Sequence, residues 1–389
     1  MIMTLAIENY RSLRRVALPM AALTLITGAN GSGKSNLYRA LRLLAETARG
    51  DVVAALAREG GLASTLWAGP EAPSARMRRG EVPVQGGPRR GPIRLRLGFA
   101  DEDFGYAISL GLPKPDSTSA FGLDPEIKRE VIWAGPWLRP ASVLVDRDGP
   151  VVKVREGRGW QVHSEHLSAF ESLFTQTADP KGSPETHLLR ERIRAWRFYD
   201  QFRTDDEAPA RQPRLGTRTP VMDHSGRDLA AALQTIREIG DAQGLADAID
   251  DAFPGATLGI EVQQDHRFSL QLSQPGLLRP LSAAELSDGT LRYLLLVAGL
   301  LSPRPPPLMV LNEPETSLHP DLLPALARLI IKVSNRTQVW VVSHASRLIA
   351  ALSEHSQALA MTLDKQLGQT FVAGQAALDE PAWHWPSRG

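Results

Sequence analysis

A chain of 389 residues with 43% hydrophobic content has enough apolar mass for one large domain or two to three smaller ones. Its formal net charge of +1 excludes a global electrostatic pull toward nucleic acid or anionic membrane, so any such binding has to come from a local patch. The sequence holds no cysteine, no apolar run near bilayer length and no signal-peptide layout at Met1-Ile2-Met3-Thr4-Leu5, which excludes disulfides and thiolate-bound metal and predicts a cytosolic protein with no membrane partner.

In chain order, short strands are expected at Ile2 to Ile7, Arg15 to Leu18 and Leu23 to Thr27, the first two joined by the polar turn Glu8 to Ser12. The third is a buried-type apolar run and leads into Gly28-Ala29-Asn30-Gly31-Ser32-Gly33-Lys34-Ser35, which fits GxxxxGK[ST] at every fixed position. After it, Asn36 to Leu44 has the i, i+3, i+4, i+7 spacing of an amphipathic helix. Glycines let the backbone wrap a phosphate group with its N–H groups, and the helix N-terminus adds partial positive charge. Lys34 is therefore expected on the β- and γ-phosphates and Ser35 on magnesium. Asn36, which directly follows the loop, and Arg11 of the turn Glu8 to Ser12 complete the expected nucleotide-binding set.

A second helix is expected at Val52 to Arg58, followed by a Pro-, Gly- and Arg-rich loop from Gly69 to Pro92. Residues 74–98 form the most basic stretch, with Arg76, Arg78, Arg79, Arg89, Arg90, Arg94 and Arg96 against Glu81. Phe and Tyr do not interleave with them, so an exposed insertion is favoured over a nucleic-acid patch. From Ile93 to Val162 the period turns to two, in Arg94 to Leu97, Tyr106 to Leu110, Val143 to Val145 and Val151 to Val154, as in an antiparallel meander. Helical spacing follows at His166 to Phe174, Thr186 to Trp196, Asp228 to Ile239 and Leu245 to Phe253, then a hairpin at Thr257 to Val262 and Phe268 to Leu272. There is no internal repeat and no heptad array.

Pro307-Leu308-Met309-Val310-Leu311-Asn312-Glu313-Pro314-Glu315 reads as an apolar strand ending in polar residues, the pattern of the strand that carries magnesium-side carboxylates in phosphate-loop enzymes. Asn312 stands where Asp is usual and offers a carbonyl oxygen without charge. Glu313 is the candidate base for the attacking water. Leu286-Ser287-Asp288-Gly289-Thr290 precedes the apolar helix Leu291 to Leu301, so Ser287 and Gly289 stand at an N-terminus able to bind an anion or simply to cap the helix. Ser317-Leu318-His319-Pro320-Asp321 turns into a helix at Leu322 to Val333, and the strand Gln338 to Val342 delivers Ser343 and His344 to the same sheet edge. A histidine there can hydrogen-bond a γ-phosphate or its attacking water.

The order phosphate loop, LSDGT, LNEPE, SLHP, SH resembles the ABC-type ATPase heads of the SMC, RecF and overcoming-lysogenization-defect families, and more closely the compact ATPases grouped with the AAA-21 and RecF-like proteins. The likeness covers residues 2–45 and 281–350, with fragments at Asn9-Tyr10-Arg11-Ser12 and Asp223 to Leu229. It implies an α/β fold, a P-loop NTPase head of ABC/SMC type with an antiparallel β lobe and a helical lobe. The expected layout is a core of residues 1–70 and 256–389, a β meander with its basic loop at 71–162 and a helical lobe at 163–255. By the resemblance, ATP and Mg2+ are the cofactors, Lys34, Glu313 and His344 are catalytic, and Ser35 and Asn312 hold the metal. Gly28, Asn30, Gly31, Ser32 and Gly33 line the nucleotide, and two heads sandwich ATP so that Ser287 and Gly289 act in trans. A slow Mg-ATPase working on double-stranded DNA in repair, genome maintenance or phage defence is implied. The alternative is a non-catalytic switch that docks a protein partner. Asp288 replaces the glycine usual in transporters, Gln85 and Gln161 lack the context of a metal-lining glutamine, and the residues after His344 leave no room for a nuclease module.

Overall fold

Three strands open the chain: β1 (Ile2–Tyr10), β2 (Leu13–Pro19) and β3 (Leu23–Gly28). The structure, a computed structural model, describes residues 1–71, 73–85, 91–114, 119–200, 202–375 and 379–386. It falls into two units, the first of residues 1–21, 28–195 and 361–389 and the second of residues 22–27 and 196–360.

In the first unit β1 and β2 continue through β4 (Leu95–Asp101), β5 (Phe104–Gly111), β6 (Glu126–Ala134), β7 (Val143–Asp148), β8 (Val151–Glu156) and β9 (Gly159–Ser164). The order is β2-β1-β4-β5-β6-β7-β8-β9, antiparallel throughout. Strands that the sequence assigns to two parts of the chain thus share one sheet. The register explains it: Ile7 stands opposite Leu97 and Leu97 opposite Ile108, all buried, so one face is a continuous apolar row. The helix Lys34–Thr47 buries Leu37, Leu41 and Leu44 and packs on β1 and β4. Within the basic stretch a one-turn helix, Ala75–Arg78, is capped by Ser74; Arg89 and Arg90 lie outside the described residues.

The helix expected at His166 to Phe174 is replaced by turns and a short helix, Leu173–Gln176. Arg147, fully buried, donates to the carbonyls of Ser168 (2.8 Å) and Glu171 (2.5 Å) and to Glu130 (2.6 Å). These long-range bonds tie the segment down, and its local bonds are single turns, such as Glu171 N to the Ser168 carbonyl at 3.2 Å, in place of a helical ladder.

The second unit holds β10 (Arg197–Tyr199), β11 (Arg214–Leu215), β12 (Thr257–Val262), β13 (Arg267–Ser273), β14 (Leu281–Ser282), β15 (Leu308–Asn312) and β16 (Gln338–Val342). Parallel strands run in the order β10-β15-β16-β3, with Val310 beside Trp340 and Val341 beside Leu25. Both β15 and β16 are nearly wholly buried, as parallel strands covered on both faces are. The helix Asp288–Leu300 buries ten consecutive residues, Leu291 to Leu300. It shares one core with the helices Leu229–Ile239, Ala242–Ala252 and Leu323–Ser334 and with Leu23 and Leu25 of β3. A small antiparallel sheet, β11-β13-β12 with β14 on β13, flanks them.

The chain ends with β17 (Ala358–Gln366) and β18 (Gln369–Val372), an antiparallel hairpin that the sequence reading did not find. Its alternation is broken by Asp364, Lys365 and Gln366.

Candidate functional site

The phosphate loop belongs to the first unit. Gly28, Gly31 and Gly33 have φ of 143°, 80° and 113°, a region L side chains rarely adopt. Space adds a second constraint, because a Cβ on Gly33 would run into the Thr370 side chain and one on Gly28 into the Leu363 carbonyl. Lys34 is 6% exposed, and its Nζ donates to the carbonyls of Gly28 (2.6 Å) and Ala29 (3.0 Å), curling the ammonium over the loop. A one-way donor chain braces the turn from behind. Asn36 Nδ2 donates to Ser12 Oγ (2.8 Å), Ser12 lies 2.7 Å from Thr370 Oγ1, and Thr370 Oγ1 donates to the Ser32 carbonyl (2.7 Å). Asn36 thus braces the loop, and Ser12 and Thr370 are loop-supporting residues that sequence reasoning missed. Among the described residues Ser32 Oγ is buried without a partner, while Ser35 is exposed at the helix start. Arg11, at φ 49°, is held by Glu59 at 2.8 Å, which also accepts from Tyr10 Oη at 2.5 Å. Burial, reinforced by Glu59, pushes the Tyr10 hydroxyl up, so it stays a donor.

The acidic strand end belongs to the second unit. β15 and β16 run parallel to β3, with Asn312 beside Val342 and Val342 beside Ile26, so Asn312, Glu313, Ser343 and His344 arrive at the edge where β3 ends. Asn312 Oδ1 is buried and, among the described residues, has no partner. Glu313 has φ 48° and its N–H donates to the Val342 carbonyl at 2.8 Å, a strained turn that leaves its carboxylate 41% exposed.

Glu315, 8% exposed, organises this edge. Its Oε1 accepts from Ser343 Oγ (2.7 Å), His344 N (2.9 Å) and Ala345 N (3.1 Å), and lies 3.4 Å from His344 Nδ1. His344 Nδ1 is also 3.9 Å from Glu313 Oε1, so the expected base and switch histidine do meet. From the helix Asp288–Leu300, Arg292 donates to the carbonyls of Asp200 (3.0 Å) and Glu313 (3.2 Å). Burial lowers the Arg292 pKa, opposed by the charges of Glu315, Asp200 and Glu313. Neither Glu315 nor Arg292 was singled out from sequence. The usable signal was a second glutamate three residues past the strand end, in Asn312-Glu313-Pro314-Glu315.

Ser287 caps its helix, accepting from Thr290 N at 3.2 Å, and is exposed. Arg211 fixes the turn before it, donating to Leu286 O (2.7 Å) and Asp288 (2.8 Å). A Cβ on Gly289 would lie 2.7 Å from the Ser317 carbonyl, which ties the signature glycine to the SLHP turn. The basic stretches are largely occupied: Arg76 and Arg79 pair with Glu81, Arg192 with Asp101 and Asp103, and Arg203 with Asp205. Gln85 is exposed and Gln161 sits exposed on β9.

Residues 23–350 match a family described as an AAA domain, putative AbiEii toxin, Type IV TA system. No curated protein matches the sequence. Among solved structures, the SmcHead bound to the C-winged helix domain of ScpA is 12% identical, with 97% of this chain and 98% of that chain covered and a TM-score of 0.50. An Smc head domain with an extended coiled coil, bound to the C-terminal domain of ScpA derived from Pyrococcus furiosus, is 12% identical over 96% of this chain and 95% of that chain, with a TM-score of 0.50. At such identity the likeness concerns the fold. The chain belongs to the AAA_21 family and folds as an SMC/RecF-like, ABC-type P-loop ATPase head.

Proposed function

We propose that the protein is a magnesium-dependent ATPase whose heads pair on ATP, with Glu313 as the general base. The observation that carries this is the Glu313 turn: a non-glycine residue at φ 48°, its carboxylate solvent-facing and 3.9 Å from His344, behind which Glu315 and Arg292 are buried. Strain of this kind costs roughly 1–3 kcal/mol and persists where surrounding bonds over-determine it. The phosphate loop holds the triphosphate through its N–H groups and Lys34. Within the second unit Asn312 Oδ1, a buried oxygen lacking a partner among the described residues, is an uncharged donor of the kind a hard cation accepts, and within the first unit the Ser35 hydroxyl is exposed at the helix start. Mg2+, when bound with ATP, would supply charge neutralisation on the phosphates. His344 orients the water or γ-phosphate, while Ser287 and Gly289 close on the nucleotide of a second copy.

Turnover tests the assignment. Glu313→Gln should abolish phosphate release while ATP still binds, and equal rates in the two proteins would remove Glu313 as base. A second reading follows from Asn312, which brings no charge to the metal: a switch that binds ATP without turnover and docks a protein, as the two solved heads are bound to pieces of ScpA. Wild-type phosphate release no faster than buffer, with ATP bound, selects it. Action on double-stranded DNA follows only from the family likeness, and a salt-dependent shift assay with and without ATP checks it.

A further inference from the structure

A cavity of about 1000 Å³ opens on the face of the eight-stranded sheet, and every residue that lines it belongs to the first unit. None of them is part of the phosphate loop or of the acidic strand end. Five are arginines: Arg14, Arg15, Arg94, Arg96 and Arg129. The register shows why they gather. Glu8 stands opposite Arg15 on one side and Arg96 on the other, Arg96 opposite Ser109, and Ser109 opposite Arg129. Residues directly opposed in an antiparallel sheet point to one face, so Arg15, Glu8, Arg96, Ser109 and Arg129 form a single row across β2-β1-β4-β5-β6. With strands about 4.8 Å apart, the row sets guanidinium-bearing positions two strands, or roughly 10 Å, from one another.

The five arginines of the lining stand against three glutamates, Glu8, Glu71 and Glu380, which leaves a net positive lining. Glu8 pairs with Arg96 at 3.2 Å and Arg129 with Asp146 at 2.9 Å, whereas Arg15 is exposed and has no ion pair among the described residues. Ser109 Oγ in the same row is buried and, among the described residues, lacks a hydrogen-bond partner. The wall is aromatic. Trp383 sits over Gly98, where a Cβ would lie 2.5 Å from its ring, and it meets Trp133 at 5.6 Å and Trp385 at 5.3 Å. Trp385, so anchored, lines the cavity together with Trp67.

We infer that this cavity binds nucleotide units, their phosphates on the arginine row and a base against Trp385. Arginine forks match phosphate oxygens two at a time, flat indoles stack bases, and the spread of the row suits several phosphates rather than one. A free nucleoside polyphosphate and a single strand of nucleic acid present the same chemistry, and they are told apart by experiment. The site goes beyond the proposed hydrolytic reading and does not depend on it.

The test uses the full-length Lys34→Ala protein, which disables the phosphate loop, and measures fluorescence anisotropy of a labelled guanosine triphosphate and of a labelled short oligothymidylate. Saturable binding of either, weakened at least tenfold by Arg15→Glu and clearly reduced by Trp385→Ala, is expected. A preference for the triphosphate identifies a free nucleotide, and a preference for the oligonucleotide identifies a strand. Arg15 is exposed, so its replacement leaves the fold intact, and phosphate release by Arg15→Glu in the Lys34 background should equal wild type. No saturable binding of either probe, or binding that neither substitution changes, overturns the inference whatever the ATPase assay shows.

Discussion

Glu315 illustrates how one buried carboxylate sets the geometry of two neighbours. One oxygen takes three donors from residues 343–345, while its partner oxygen has none among the described residues. Glu315→Gln keeps the shape but puts an amide where three N–H or O–H donors converge on a charge. His344 should shift, and turnover should fall by roughly a hundredfold, the scale of a 1 Å misplacement, with ATP affinity unchanged. Turnover and nucleotide affinity measured on the same protein check this, and a parallel loss of both would mark Glu315 as merely structural. Asn312 makes the opposite prediction. Replacing a dipole by a full charge beside the proposed cation site, Asn312→Asp should lower the magnesium concentration for half-maximal turnover by roughly tenfold. An unchanged magnesium dependence would place the metal elsewhere.

Elements are pinned here by ions as much as by apolar faces. Glu130 and Arg147 are both fully buried, and Glu130 also accepts from Tyr106 (2.7 Å), Ser172 (2.6 Å) and Leu173 N (2.8 Å), locking β6 and β7 to the segment after β9. Burial holds the Tyr106 hydroxyl well above its usual value, so it remains a donor. Arg147→Met leaves the carboxylate without its counter-ion and should cost about 3–5 kcal/mol by chemical denaturation. At the turn before the signature helix, Glu285 forms a capping box with Ser282. The hydrogen bond from Arg279, then those from Ser282, lower its pKa to about 2. A depressed acid stabilises above its unfolded value, so its contribution is complete at neutral pH and is lost as pH falls from the ordinary glutamate range through about 2. In Arg279→Gln the Glu285 carboxyl, followed by carbon NMR in glutamate-labelled protein, should titrate higher.

For the whole molecule, the proposed pairing is a concentration- and nucleotide-dependent equilibrium. Glu313→Gln with ATP and magnesium should sediment as a dimer and return to monomer when Ser287→Arg is added, since an exposed cap cannot close on a partner through a bulky cation. Monomer throughout would leave pairing unsupported. Sequence alone determined the family and the ATPase-head fold, because phosphate-loop chemistry demands fixed residues at short spacing. It also settled the apolar strands β3, β15 and β16, whose burial on both faces writes a continuous run. It did not reveal that β1 and β2 join the meander strands, that Thr370 and Ser12 brace the loop, that Arg147 anchors the segment after β9, or that arginines far apart in the chain line one cavity. Those were decided by tertiary structure, because each depends on strand register or on a polar pair hundreds or tens of residues apart, and nothing in a local pattern records which strand a residue will face.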